Sequence, residues 1–230
     1  MSATERSLPS SVDVVRTLVM VTWRRLFRGR ALWVSALIAS LPVIFTALLQ
    51  GHGHNMEPIE LVSTLVMVLL PPMFVASSLG EEIEDRTTTY LWSRPIGRWT
   101  IVVSKLLALA PIAIALVVGG GFVAIQIETG APPTPAWIIA TTTGTFAIAT
   151  MAAGIATLVP KYGMALSIVY LVVIDLIVGA MPASLNHISI TKQIRSIAHS
   201  EAYTQPAITM CVLTGIWLAI ALWRIRRLES

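Results

Sequence analysis

Apolar and polar positions in this chain fall in long blocks and are not interleaved. Charge-free runs extend over 31–56, 61–80, 106–127, 129–160, 162–174 and 202–223. A helix needs about 20 mostly apolar residues to cross a bilayer's hydrocarbon core. The run 162–174 is too short alone, but it continues past the single Asp175 to about residue 182. The pattern therefore predicts six spans, near 31–50, 60–79, 102–126, 137–159, 163–182 and 206–223. Little lies between them. Residues 1–10 are polar. In 11–29, Val12, Val15, Val19 and Leu26 recur at helical spacing beside Arg16, Arg24, Arg25 and Arg28. That predicts an amphipathic helix lying on the inner surface of the bilayer. In 183–205, Ile190, Ile194 and Ile197 share one face, while Lys192, Arg195 and His199 point elsewhere. One or two short helices at the outer interface are expected there.

Composition agrees with this division. Of 230 residues, 55% are hydrophobic and 12% charged, against about 25% charged in soluble domains. With the amino terminus inside, 14 of the 16 lysines and arginines face the cytoplasm, and only Lys192 and Arg195 face out. The positive-inside rule selects that orientation, with both termini and residues 80–98 in the cytoplasm. Topology thus accounts for the net charge of +4. No basic-aromatic pattern points to a nucleic-acid partner. Trp23, Trp33, Trp92, Trp99, Trp137 and Trp223 lie near span boundaries, where amphipathic rings prefer the headgroup region. The first apolar run opens a series of spans, so no cleavable signal peptide is expected. The single Cys211 cannot form an intrachain disulfide. With no internal repeat or linker, 1–230 reads as one domain.

The candidate chemistry is concentrated in residues 80–98, which place four carboxylates and three arginines between the second and third spans. Acids at the start and Ser93-Arg94-Pro95-Ile96-Gly97 at the end suit a short helix, with carboxylates at the positive end of its dipole. Ile83, Thr87, Tyr90 and Leu91 form its packing stripe. Pro42, Pro71-Pro72 and Pro111 invite kinks within the spans. Thr141-Thr142-Thr143-Gly144 and Gly154 offer small surfaces for close helix contact. Asp175 is the one ionisable residue inside a span. It must face protein or water, either along a transport path or bonded to another helix.

Catalytic motifs are missing. There is no phosphate-binding loop, no Gly-x-Ser-x-Gly and no His-Glu-x-x-His. His52 and His54, even with Glu57, make a weak metal site, and solvated loop histidines are the simpler reading. Glu81-Glu82-Ile83-Glu84-Asp85-Arg86 matches the Glu-Glu-x-x-x-Arg signature of prenyl-protease-like endopeptidases. Their Phe-x-x-x-His and His-x-x-x-[Asn/Asp] partners do not occur here.

Three features together resemble the ABC type-2 permeases, membrane subunits of ATP-driven transporters. They are six spans with an amphipathic amino-terminal helix, the block 81–98 followed by Lys105, and the interfacial segment between spans five and six. The resemblance implies an all-α membrane protein, a bacterial plasma (inner) membrane permease domain that dimerises with a like or unlike subunit. It also implies two copies of a separate ABC ATPase, which would carry ATP and magnesium, and an export function. A coupling helix would then dock in the ATPase through Glu81, Glu82, Glu84, Asp85, Arg86, Thr87, Tyr90 and Leu91. Arg94, Pro95 and Arg98 would return the chain to the membrane. A non-transporting membrane anchor and a small secondary transporter are the alternatives. The substrate is not legible.

Overall fold

Ser10 starts the first helix. Its hydroxyl oxygen accepts from the Asp13 backbone N–H at 3.2 Å, satisfying one of the free donors of the opening turn. In the computed structural model, which describes residues 10–49, 57–84, 97–181, 184–199 and 204–227, this helix runs Ser11–Arg28 and ends at Gly29. Its stripe faces protein more than lipid. Val19 and Leu26 pack against the buried core, whereas Val12 is exposed, and Met20, Val21 and Phe27 are further exposed apolar side chains.

Among the described residues, six helical segments are long and apolar enough to cross a membrane: Ala31–Leu48, Ser63–Ile83, Trp99–Thr129, Pro135–Leu158, Pro160–Ala180 and Thr204–Arg227. Among the described residues there is no strand. The chain is a multi-pass, all-α membrane protein. The second, third and fourth spans form the centre, with buried shares of 61%, 56% and 72%. The first and fifth reach only 22% and the sixth 11%, so these three lie at the periphery. The core is built from Leu70, Val75 and Leu79 of the second span, Val102 and Leu109 of the third, and Ile148 and Met151 of the fourth.

The prolines within the first three spans have three different outcomes. The first span breaks at Ser40, two residues before Pro42, into Ala31–Ala39 and Leu41–Leu49. Pro71-Pro72 removes two consecutive donors, and the second span re-registers through a wide π turn, Pro72–Ala76. Pro111 leaves Trp99–Thr129 unbroken. There the indole of Trp23 donates to the Ala108 carbonyl at 2.8 Å, next to the Leu107 carbonyl that Pro111 leaves without its helical donor. A second π turn, Tyr170–Asp175, lies in the fifth span.

The turn between the third and fourth spans is sharply specified. Gly130 caps the third helix at φ 69°, a left-handed conformation that favours glycine, and its N–H returns to Gln126. Pro132 and Pro133 follow, and Thr134 caps the fourth helix by accepting from the Trp137 N–H. Between the fifth and sixth spans lie a short 3-10 turn, Ser184–Ile188, and the helix Ile190–His199. Ile190, Ile194 and Ile197 are buried, while Arg195 and His199 are exposed. Ile194 packs against Gly144, nine residues into the fourth helix and hence roughly 14 Å along it. This helix therefore dips into the bundle as well as covering its end.

Candidate functional site

Ser78 and Glu82 are four residues apart and share one face at the end of the second-span helix. Lys105 faces them from the first turns of the third span. Its Nζ donates to Ser78 Oγ at 2.9 Å and lies 2.5 Å from Glu82 Oε1. The lysine side chain is 5% exposed and the glutamate 21%. The ion pair is thus mostly removed from water, and the serine satisfies another ammonium donor. Next to it, Glu81 is 3.3 Å from Arg25 of the amino-terminal helix. Both side chains there are more than half exposed, so that contact positions more than it stabilises.

Two further contacts complete the junction. Gly80 lies against the Pro160 carbonyl, where a built Cβ would come within 2.7 Å of the oxygen. This joins the end of the second span to the start of the fifth. The Trp23–Ala108 bond fastens the amino-terminal helix to the third span. The amino-terminal helix, the third span and the fifth span therefore all meet the end of the second span.

Of the short helix expected over 80–98, residues 85–96 lie outside the described residues. Glu81, Glu82 and Glu84 lie in the helix Ser77–Glu84, which continues directly from the second span. Lys105 and Arg25 supply the compensating positive charge for Glu82 and Glu81. Arg98 immediately precedes the third-span helix and is half-buried. Asp85, Arg86, Thr87, Tyr90, Leu91, Arg94 and Pro95 lie outside the described residues, as do His52 and His54.

Asp175 belongs to the opposite end of the molecule. Its side chain is buried at the end of the π turn, and both oxygens point at the start of Ile190–His199. Oδ1 accepts from the Ile190 N–H at 2.8 Å. Oδ2 accepts from the Thr191 N–H at 2.9 Å and the Ser189 hydroxyl at 3.1 Å. A buried carboxylate with three donors at a helix amino terminus is a tertiary N-cap. The bond to another helix, one of the two roles open to Asp175 from sequence, is present.

Sequence reasoning missed Ser78, Arg25 and the Gly80–Pro160 contact. The Ser78–Glu82 spacing was a usable signal, because Lys105 needs acceptors on one helical face. No protein-family model matches the chain, and no curated protein matches its sequence.

Proposed function

We propose that this chain is the membrane-spanning subunit of an ATP-driven exporter of the ABC type-2 kind. The observation that supports the reading best is the braced junction around Lys105. Residues 85–96 connect the second and third spans, which are held together by the mostly buried Lys105–Glu82 pair. A force applied to that stretch would reach two central spans at once, along with the amino-terminal helix through Arg25 and Trp23. Such rigid connections, anchored in a packed core, suit transmission of a partner's closure to the membrane. In this reading the partner is an ABC ATPase in two copies, which holds ATP and magnesium. The charged stretch fixes its register by ion pairs. The uncovered apolar faces of spans one, five and six serve lipid and a second permease subunit.

The test is a mild-detergent pull-down of the tagged chain from its native membrane, with and without nucleotide, followed by mass spectrometry. An ABC ATPase at near-equal stoichiometry is expected. Reversal of charge at Arg86 should lower its recovery roughly tenfold while leaving the thermal stability of the spans unchanged. Recovery of no ATPase under either condition would overturn the reading in favour of a non-transporting anchor.

A further inference from the structure

The helix Ile190–His199 forms one wall of a cavity of about 400 Å³. The other walls come from the second, third and fourth spans and the 131–134 turn. The volume lies within the range of about 300–1,000 Å³ usual for small-molecule sites, towards its lower end. The interior surface is mainly apolar, supplied by Met67, Val117, Ile125, Trp137 and Ile194. Thr64, Thr134 and Thr141 add hydroxyls at intervals. Among the described lining residues, Arg195 and His199 are the basic ones, one helical turn apart on the same wall and both exposed. None of the described lining residues is acidic. An apolar body with a polar end bearing one cationic and one titratable basic side chain is complementary to an amphiphile with a negative head.

We infer that this cavity binds one acyl chain carrying an anionic headgroup, with the head at Arg195 and His199 and the chain against Trp137 and Met67. The guanidinium would hold a carboxylate or phosphate through charge-assisted hydrogen bonds. The small volume favours one chain. The wall that carries the basic pair is itself held by Asp175, which caps the first turn of the same helix. The site is lined by residues of this chain and does not rest on the transporter reading.

Two sources share this chemistry, a free fatty acid and an anionic phospholipid. The test uses the full chain in nanodiscs of uncharged lipid and follows tryptophan fluorescence, since bromine on an acyl chain quenches an indole that it touches. The probes are a chain-brominated fatty acid, its methyl ester, and phosphatidylglycerol with brominated chains. Saturable quenching by the acid is expected, lost in Trp137→Phe and roughly tenfold weaker in Arg195→Gln. The ester should be weakened to a similar degree. Ala198→Leu, which fills the cavity from the 190–199 wall, should remove the same component without lowering the melting temperature. Saturable quenching by the phospholipid, uncompeted by the free acid, would assign the bilayer as the source. Quenching that is equal for acid and ester, or that survives both Trp137→Phe and Ala198→Leu, would overturn the site.

Discussion

Asp175 commits both carboxylate oxygens to the first turn of a neighbouring helix, and this sets what its replacement should do. An asparagine keeps one oxygen acceptor but turns an NH2 group towards donors that need acceptors. Asp175→Asn should therefore lose about 2 kcal/mol of stability, read as a lower melting temperature in mild detergent. An unchanged melting temperature with altered transport would instead return the residue to a transport path. At the other end, Lys105→Met leaves Glu82 without its counter-charge in a mostly dry place. Breaking a buried pair typically costs 3–5 kcal/mol, and the partial exposure of Glu82 reduces the expectation to about 2–3 kcal/mol. The double variant Lys105→Met/Glu82→Gln should recover most of that loss, and a thermodynamic cycle would show the coupling. Arg25→Ala removes only an exposed partner and should stay within about 0.5 kcal/mol of the parent.

Between elements, close approach matters more than any single bond. Gly80 meets a backbone carbonyl that cannot rotate away, so Gly80→Val must push the second and fifth spans apart. A loss of about 1–3 kcal/mol is expected. Gly119 has open space where a Cβ would go, so Gly119→Ala should be neutral or stabilise by up to about 1 kcal/mol. Comparing the two melting temperatures separates steric contact from helix propensity. The spans were legible because hydrocarbon imposes a length and composition that sequence cannot hide. The 190–199 face was legible because Ile190, Ile194 and Ile197 keep helical spacing. The junction was less so. Apolar periodicity does not reveal that the second-span helix continues to Glu84, because Ser77–Glu84 is held there by Lys105 and Pro160 from distant sequence. Nor did the valine stripe of the amino-terminal helix disclose which apolar face meets protein. Val12 and Val19 are alike in sequence and differ only in whether the third span lies beneath them.

For the whole molecule, the central question is which end faces the cytoplasm. Six crossings put both termini on one side, and the asymmetry of 14 basic residues against two predicts that this side is inner. Glu81 and Arg195 mark the two ends, and both have exposed side chains. In a Cys211→Ser background, Glu81→Cys and Arg195→Cys can each be treated with a membrane-impermeant maleimide. Arg195→Cys should label in intact cells, and Glu81→Cys only after permeabilisation. The reverse pattern would put the Lys105 junction and the stretch 85–96 outside, where no cytoplasmic ATPase could reach them, and the exporter proposal would fail with it. The anionic-amphiphile site would survive that result, because it depends only on the walls of the cavity, but it would then open towards the inner leaflet. Labelling of both positions from one side would contradict the six-span path itself, since an odd number of crossings separates residue 81 from residue 195. The experiment thus tests the topology on which the charge argument, the docking proposal and the leaflet of the cavity all depend.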